Sequence, residues 1–274
     1  MKKQRLDTLL TETGHFETRS KAQSAIMAGL ILVDNIKIAK PGTAVSKEAT
    51  IRVLGDVLPY VSRGGLKLAK ALSCFDFSVN NKVVADIGAS TGGFTDCALQ
   101  NGAQRVYAID VGYGQLAWKL RTDERVICME RTNVRYLTSE SLPEQIDRIT
   151  IDVAFISLDK VLPVLKNILK PDGEVLALIK PQFEAGKANI GKKGVVRDAA
   201  VHLAVIEKVI DCAEQEGFKI AGLNYSPIKG PEGNIEYLLY LTLKGESTLT
   251  LDSVKPIVKQ AQETLNVKEV GETR

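Results

Sequence analysis

The residues Val83-Val84-Ala85-Asp86-Ile87-Gly88-Ala89-Ser90-Thr91-Gly92-Gly93-Phe94-Thr95 are predicted to form an apolar strand that runs into a glycine-rich turn and then a helix. Such a turn lets backbone N–H groups approach a ligand at the carboxyl end of the strand, where open α/β sheets bind their ligands. A phosphate-binding P-loop would end in Gly-Lys-Ser or Gly-Lys-Thr, and a dinucleotide fingerprint would read G-x-G-x-x-G. This turn reads G-x-x-x-G-G, which argues against a nucleoside triphosphate or NAD as its ligand.

The same strand opens a regular alternation of buried-type strands and amphipathic helices, which is typical of a parallel sheet with crossover helices. Seven strands are predicted, at residues 82–87, 105–110, 126–129, 148–153, 174–179, 218–224 and 236–243. A long helix is expected over residues 198–216, and a last helix is expected to begin near Pro256. The predicted fold class is α/β, a Rossmann-like sheet of seven strands with helices on both faces.

A smaller α+β module is predicted to precede this sheet. Apolar residues at helical spacing predict a first helix over Leu6 to Leu10 and a second that carries Ala22, Ala25 and Ile26. Short β-like runs follow at residues 30–33, 36–38 and 51–54. The predicted domain bounds are 1–58 for this module, 59–64 for a linker, 65–245 for the sheet domain and 246–274 for a partly helical C-terminal extension.

The composition of the 274 residues is that of a globular protein, with 45% hydrophobic and 25% charged residues. The net charge of +3 is carried by residues 1–60, which hold nine Lys or Arg and six Asp or Glu. This local excess points to a polyanionic partner for the first module. No cysteine pair has metal-ligand spacing, no apolar run reaches the ~20 residues of a membrane span, and no secretory signal is recognisable. The sequence therefore predicts a cytoplasmic protein without a metal site or stable membrane association.

Two carboxylates flank the glycine-rich turn. Asp86 lies at the end of the first strand, where it could meet the cationic methionine portion of S-adenosylmethionine directly or through water. Asp110 ends the next strand about twenty residues on, at the distance expected for hydrogen bonds to a ribose diol. The glycine-rich turn followed by a strand-terminal acid predicts a cofactor site, for which S-adenosyl-L-methionine is the candidate.

Eight ordered motifs give the chain a resemblance to the TlyA family of rRNA 2'-O-methyltransferases, historically called haemolysins. The motifs span nearly the whole chain, and together they are far more specific than any one of them. They are Arg5-Leu6-Asp7, Thr18-Arg19-Ser20-Lys21-Ala22, Ser62-Arg63-Gly64-Gly65-Leu66-Lys67-Leu68, the turn from Asp86 to Thr95, Asp110-Val111-Gly112-Tyr113-Gly114-Gln115-Leu116, Asp152-Val153-Ala154-Phe155-Ile156-Ser157, Lys180-Pro181-Gln182-Phe183-Glu184 and Gly233-Asn234-Ile235-Glu236.

The resemblance implies an S4-type RNA-binding domain followed by a class I methyltransferase domain similar to the FtsJ-like enzymes. It places a basic RNA-binding face at Lys3, Arg5, Arg19, Lys21 and Arg63. Cations of this kind position an RNA through its phosphates without reading its sequence. By the same resemblance the partner is ribosomal RNA or a ribosomal subunit, and the acceptor is a cytidine ribose.

The family is also similar to the heat-shock 2'-O-methyltransferases, whose active site is a Lys-Asp-Lys-Glu tetrad. Motif by motif, the resemblance places this tetrad at Lys67, Asp152, Lys180 and Glu236. Independently, Asp152 and Lys180 each fall at the carboxyl end of a predicted strand, the edge at which the glycine-rich turn opens. Phe94 is expected either against the cofactor or in the core. The expected cofactor contacts are Asp86, Gly88, Ala89, Ser90, Gly92, Gly93, Phe94, Asp110, Val111, Asn133 and Asp152.

The chemistry of ribose methylation gives each tetrad residue a role. A 2'-hydroxyl is a weak nucleophile, so a neighbouring base must accept its proton as the methyl group is transferred. Lys180 is the candidate base, and burial, the ammonium of Lys67 and the sulfonium of the cofactor would favour the neutral form that it needs. Asp152 and Glu236 would orient the lysines while opposing that change. Alternatively, Lys180 stays protonated and holds the hydroxyl in attack geometry while water takes the proton.

Other functions fit the sequence less well. Amino-directed base methyltransferases usually carry Asn/Asp-Pro-Pro-Tyr/Phe after the fourth strand, where this chain has Asp152-Val153-Ala154-Phe155. Enzymes that methylate a cytosine carbon use a cysteine nucleophile, and this stretch contains no cysteine. A ribosome-assembly factor that binds RNA with weak or no methylation is the main alternative, against which the intact tetrad and glycine-rich turn argue. A membrane-active haemolysin is least favoured, because the sequence has neither a spanning segment nor a long basic amphipathic helix.

Overall fold

The computed structural model describes residues 3–16, 18–27, 29–54, 58–191, 194–249 and 251–266. The chain divides into two compact units, Met1–Pro59 and Tyr60–Arg274, called the N-terminal and C-terminal units below. Separate clusters of buried apolar side chains stabilise the two units.

The N-terminal unit is a small α+β fold, as predicted. Its elements are β1 (Lys3–Arg5), α1 (Leu6–Glu12), α2 (Arg19–Met27), β2 (Ile31–Val33), β3 (Ile36–Lys37), β4 (Ala44–Ser46) and β5 (Ile51–Val53). β2 pairs with both β3 and β5, and the turn between β2 and β3 holds Asp34 and Asn35 at positive φ, as a two-residue type I′ hairpin requires. β1 pairs with β4 in a two-stranded sheet that the sequence pattern did not predict.

The C-terminal unit is built on the predicted seven-stranded sheet. Its strands are β6 (Val83–Ile87), β7 (Arg105–Ile109), β8 (Val126–Met129), β9 (Ile146–Ile151), β10 (Leu169–Ile179), β11 (Lys219–Tyr225) and β12 (Tyr237–Thr242). Their order across the sheet is β11-β12-β10-β9-β6-β7-β8. β12 runs antiparallel to both of its neighbours, whereas the other pairs are parallel, so the sheet is mixed rather than wholly parallel.

Helices cover both faces of this sheet, as predicted. They are α3 (Gly64–Cys74), α4 (Gly93–Gln100), α5 (Trp118–Arg121), α6 (Leu162–Leu165), α7 (Pro181–Glu184), α8 (Ala199–Gln215) and α9 (Leu251–Leu265). Alternate strand residues point to opposite faces, so Val83 and Ala85 join the core under α8 and α9, while Val84 joins the core under α3 and α4. Burial on both faces explains why the strands read as continuous apolar runs. Among the helices that the structure describes, none has the length and apolar character needed to cross a membrane.

The prediction for the last helix is wrong in its start. α9 begins at Leu251, and Pro256 lies inside it rather than at its beginning. A proline there removes one backbone hydrogen bond and costs up to about 3 kcal/mol in a helix interior. Val254, Val258 and Ala261 repeat at helical spacing and are buried against α8 and β11. Full burial of an apolar side chain such as valine contributes about 1.5–3 kcal/mol, so the buried face offsets the proline.

Candidate active site

Strand direction brings the predicted tetrad to one edge of the sheet. Asp152 directly follows β9, and Lys180 directly follows the neighbouring parallel strand β10. Glu236 directly precedes β12, which is antiparallel to β10 and pairs Tyr237 with Ile179. The start of β12 therefore lies at the same edge as the ends of β9 and β10.

Four charged side chains meet at this edge. Lys67, on α3, places its Nζ 2.7 Å from Glu236 Oε2 and 3.2 Å from Asp152 Oδ2. Lys180 Nζ lies 2.5 Å from the other carboxylate oxygen of Asp152, Oδ1. The exposed fractions of the side chains are 1% for Glu236, 9% for Lys67, 11% for Lys180 and 17% for Asp152. Asp152 thus bridges two lysines in a largely enclosed cluster.

The cluster stabilises its own ionised form. Burial raises the pKa of Asp152, but the charges of Lys180 and Lys67 outweigh burial and leave that pKa below its usual value. Burial lowers the pKa of Lys67, but Asp152 and Glu236 prevail and raise it. Perturbed ionisable groups gathered in one partly open site are typical of catalytic centres, although structural ion pairs behave similarly.

The glycines of the turn after β6 are required by close packing. Gly88 has a φ of +85°, and a Cβ at this position would lie 2.7 Å from the backbone oxygen of Asp152. Gly92 has a φ of +97°, and a Cβ there would overlap Leu120. Gly93 begins α4, where a Cβ would lie 2.8 Å from the backbone nitrogen of Gly65. The turn therefore passes immediately beside the start of the loop that carries Asp152.

Two of the expected cofactor contacts, Asp86 and Phe94, are buried in the structure. Asp86 is buried, and its carboxylate accepts hydrogen bonds from Thr95 N (3.0 Å), Thr95 Oγ1 (2.6 Å) and Thr150 Oγ1 (3.2 Å). Burial outweighs these bonds and raises the pKa of Asp86 to about 7. Phe94 is buried in the core that includes Leu68. Asp86 therefore anchors the first turn of α4, and Phe94 takes the core position that was its alternative.

The remaining expected contacts surround the turn. Asp110 joins two loops, because its Oδ2 accepts a hydrogen bond from Ser90 N and its Oδ1 accepts one from Gly112 N, both at 2.7 Å. Val111, the next residue, is exposed, whereas Ala89 is buried. Asn133 Oδ1 accepts a hydrogen bond from the backbone N–H of Arg135 and so caps the short 3₁₀ helix at residues 134–136. These residues lie in loops after β6, β7 and β8, at the edge that holds the tetrad.

Comparison with known proteins identifies the family of the chain. The family model for FtsJ-like methyltransferases matches residues 60–243, and the model for the S4 domain matches residues 4–51. The chain is 41% identical over 258 residues to the Mycobacterium tuberculosis (strain CDC 1551 / Oshkosh) protein named "16S/23S rRNA (cytidine-2'-O)-methyltransferase TlyA", covering 94% of this chain and 96% of that protein. This chain belongs to the TlyA family of FtsJ-like methyltransferases.

Two further relatives support the TlyA assignment. The Bacillus subtilis (strain 168) protein named "Putative rRNA methyltransferase YqxC" is 52% identical over 275 residues, with 97% of each chain covered. The solved structure "Putative hemolysin from Streptococcus thermophilus" is 46% identical, has a TM-score of 0.77 and covers 97% of this chain and 98% of its own. The TlyA-family chain is thus a methyltransferase with an N-terminal S4 domain, and its methyl donor is S-adenosyl-L-methionine.

Exposed aromatic side chains in the loops that follow the strands were not identified from the sequence. Phe155 is 91% exposed at a φ of +62°, and its ring centroid lies 5.1 Å from that of Phe183. Arg131 lies over the ring of exposed Tyr113, 4.2 Å from its centroid. Phe155 and Phe183 each stand three residues after a tetrad member, Asp152 and Lys180, and that spacing was the available signal. In the described part of the C-terminal unit, the exposed large hydrophobic side chains all follow β7, β8 or β9. They are Val111, Tyr113, Trp118, Tyr136 and Phe155.

The residues predicted to bind RNA are on the surface of their own units. Lys3, Arg5, Arg19 and Lys21 are exposed in the N-terminal unit, and Arg63 is exposed immediately before α3 in the C-terminal unit. Among the described residues, no group of three or more His, Cys, Asp or Glu side chains could hold a metal ion.

Proposed function

We propose that this chain transfers a methyl group from S-adenosyl-L-methionine to the 2'-hydroxyl of a ribose in ribosomal RNA, with cytidine as the expected nucleoside. The observation that carries the proposal is the cluster of Lys67, Asp152, Lys180 and Glu236 beside the glycine turn. The TlyA relative's name specifies a cytidine 2'-O acceptor in 16S and 23S rRNA. The S4 domain match supports RNA as the substrate class. We expect the enzyme to act in the cytoplasm, on rRNA or ribosomal subunits.

The loops after β6, β7 and β8 are suited to hold the cofactor. The glycine turn offers backbone without side chains at Gly88, Gly92 and Gly93, and Ala89 and Ser90 lie between them. Each oxygen of the Asp110 carboxylate accepts one backbone N–H, which leaves lone pairs for the two hydroxyls of a ribose. Val111 and Asn133, in the loops after β7 and β8, are the proposed neighbours of the adenine. When bound, S-adenosylmethionine supplies an electrophilic methyl group.

Lys180 is the proposed partner of the acceptor hydroxyl. Lys67 is held between two carboxylates, whereas Lys180 contacts one, Asp152, among the described residues. Lys180 therefore retains hydrogen-bonding capacity for a substrate oxygen. Lys67 and Glu236 would fix the position of Asp152, and Asp152 would fix Lys180. Pre-set geometry of this kind accelerates transfer by holding the attacking oxygen in line.

The proton of the 2'-hydroxyl leaves as the new C–O bond forms, and two acceptors fit the cluster. A neutral Lys180 takes the proton directly, or a protonated Lys180 orients the oxygen while water takes it. The first route needs a neutral Lys180, so kcat rises with pH, whereas the second needs a protonated Lys180, so kcat falls when that proton is lost. A pH profile of kcat at saturating RNA separates the two routes.

The test of the proposal is transfer of tritiated methyl from S-adenosylmethionine to ribosomal subunits from a strain that lacks the methylation. Wild type, Lys180→Ala and a control, Lys259→Ala, are compared, since Lys259 is an exposed lysine on α9. We expect incorporation with wild type and the control, and loss of at least about a hundredfold with Lys180→Ala, as for removal of a group that acts as general base. Absence of incorporation into either subunit, despite calorimetric binding of the cofactor, would favour an RNA-binding assembly factor instead.

A further inference from the structure

A buried carboxylate in the N-terminal unit has no part in the methyl-transfer chemistry. Asp7, in the first turn of α1, is fully buried. Its Oδ1 accepts hydrogen bonds from Arg5 Nε (3.1 Å) and from the backbone N–H of Thr8 (3.0 Å). Its Oδ2 accepts hydrogen bonds from Arg5 Nη2 (2.9 Å), Arg19 Nε (2.9 Å) and Gln23 Nε2 (2.7 Å). With Thr8 Oγ1, 3.4 Å from Oδ1, one carboxylate thus receives six donors from β1, α1 and α2.

The Asp7 carboxylate is held in its ionised form. The Arg5 guanidinium outweighs burial and, with Gln23 and Arg19, holds the pKa of Asp7 well below its usual range. The backbone fixes the same residue, because Asp7 N donates a hydrogen bond to Pro41 O and Leu6 beside it is buried in the core. Asp7 is therefore a rigid anion inside an otherwise basic module.

The two arginines that Asp7 binds keep part of their guanidinium groups available to a ligand. Arg5 and Arg19 remain 52% and 53% exposed. The Arg5 guanidinium also lies against Gly42, where an added Cβ would be 3.0 Å from its Nη1. Within the described residues, Arg5 Nη1 and both Nη groups of Arg19 have no hydrogen-bond acceptor. Both guanidinium groups contact the same oxygen of Asp7, so they stand side by side with free N–H groups.

We propose that Asp7 is a positioning residue for RNA binding, which holds Arg5 and Arg19 as a paired guanidinium site for one RNA phosphodiester. Guanidinium groups bind phosphate oxygens through paired N–H donors, so their orientation determines the strength of the contact. Free arginine side chains lose conformational entropy when they bind, whereas this pair is already ordered by the fold. The inference rests on the proposed RNA substrate.

Charge and positioning predict opposite results for removal of the Asp7 charge. If net charge alone governed binding, Asp7→Asn would make the module more positive and tighten its hold on RNA. If Asp7 positions the arginines, the same change loosens both, because the asparagine amide presents N–H donors to guanidinium donors. The sign of the change therefore separates the two explanations.

The experiment measures binding of the full-length chain to a fluorescein-labelled RNA stem-loop with a single-stranded end, by fluorescence anisotropy over a range of salt concentrations. Asp7→Asn is compared with Glu12→Gln, which removes an exposed negative charge from the same helix. We expect Asp7→Asn to raise Kd about five- to tenfold and to reduce the slope of log K against log salt by about 1, as for loss of one phosphate contact. Glu12→Gln should leave Kd unchanged or lower it. Equal or tighter binding by Asp7→Asn would overturn the proposal.

If circular dichroism shows that Asp7→Asn does not fold, a second pair of variants tests the proposal. Arg5→Lys and Arg19→Lys retain the charge but lose the paired donors, so each should raise Kd. Unchanged Kd and unchanged salt slopes in both lysine variants would overturn the positioning role. Failure of wild type to bind RNA would instead overturn the proposed RNA substrate, and the two failures are thereby distinguished.

Discussion

Removal of Lys67 tests whether the tetrad is held together as the structure indicates. Lys67→Met fills the same volume without charge and leaves Glu236, 1% exposed, with no cation within reach among the described residues. Loss of one partner from a buried ion pair costs about 3–5 kcal/mol, because the remaining charge is buried and unpaired. For a unit of this size 1 kcal/mol lowers Tm by about 2–4 °C, so we expect Tm to fall by roughly 6 °C or more.

The double variant Lys67→Met with Glu236→Gln separates stability from chemistry. It removes both charges, so a neutral buried amide replaces an unpaired carboxylate, and the penalty falls to about 1–3 kcal/mol. We expect its Tm to lie above that of Lys67→Met alone, while methyl transfer stays lost in both. Differential scanning fluorimetry and the tritium-transfer assay measure the two quantities.

The control for this cycle lies at the opposite edge of the same sheet. Arg148 and Glu174 form a partly buried pair with 3.1 Å between Nε and Oε2, so Glu174→Gln should lower Tm while leaving methyl transfer intact. Two results would refute the reasoning. The first is a decrease in Tm for the double variant that equals the sum of the decreases for Lys67→Met and Glu236→Gln alone. The second is recovery of methyl transfer together with stability. The second would mean that the tetrad only supports the fold.

Three further predictions concern single side chains. The pKa of Asp86, raised to about 7, means that wild-type stability falls as pH rises from the ~3.9 of an unfolded aspartate to about 7 and then levels off. Asp86→Asn should remove that fall, which amounts to at most about 1.4 kcal/mol per pH unit. Denaturant unfolding at pH 5 and 7.5 measures it, and an equal loss of stability in wild type and variant would contradict this prediction. Gly88→Ala should weaken cofactor binding by tenfold or more in calorimetry, because its Cβ would lie 2.7 Å from Asp152 O, whereas Gly114→Ala, also at positive φ but with no atom within 4 Å, should not. Phe155→Ala should leave Tm unchanged, since the ring is 91% exposed, but raise the KM for RNA about threefold or more through loss of a stacking surface, and an unchanged KM would rule out that role.

The sequence predicted the sheet because its strands are long apolar runs with clear boundaries. The same property concealed the direction of Asp86: both faces of β6 are buried, so no polar alternation shows which side a carboxylate faces. Its assignment to the cofactor followed from position, whereas in the structure Thr95 and Thr150 enclose it. Only tertiary packing determines that outcome.

The tetrad was predictable in part from the residues themselves. Asp152 and Lys180 stand at strand ends, and parallel strands bring such positions together. Glu236 stands at a strand start and Lys67 on a helix, so their assignment depended on the family resemblance. Glu236 joins the cluster because β12 is antiparallel, a reversal that the apolar pattern of the strand does not encode.

The most direct test of a ribose methyltransferase is the position of the transferred methyl group. Ribosomal subunits from the unmethylated strain are incubated with wild-type enzyme and S-adenosylmethionine, and the rRNA is digested to nucleosides for mass spectrometry. We predict a 2'-O-methylcytidine, with the added mass on the ribose fragment, that is absent after incubation with Lys180→Ala. A methyl group on the base fragment, or a ribose methylation that persists with Lys180→Ala, would contradict catalysis by this tetrad.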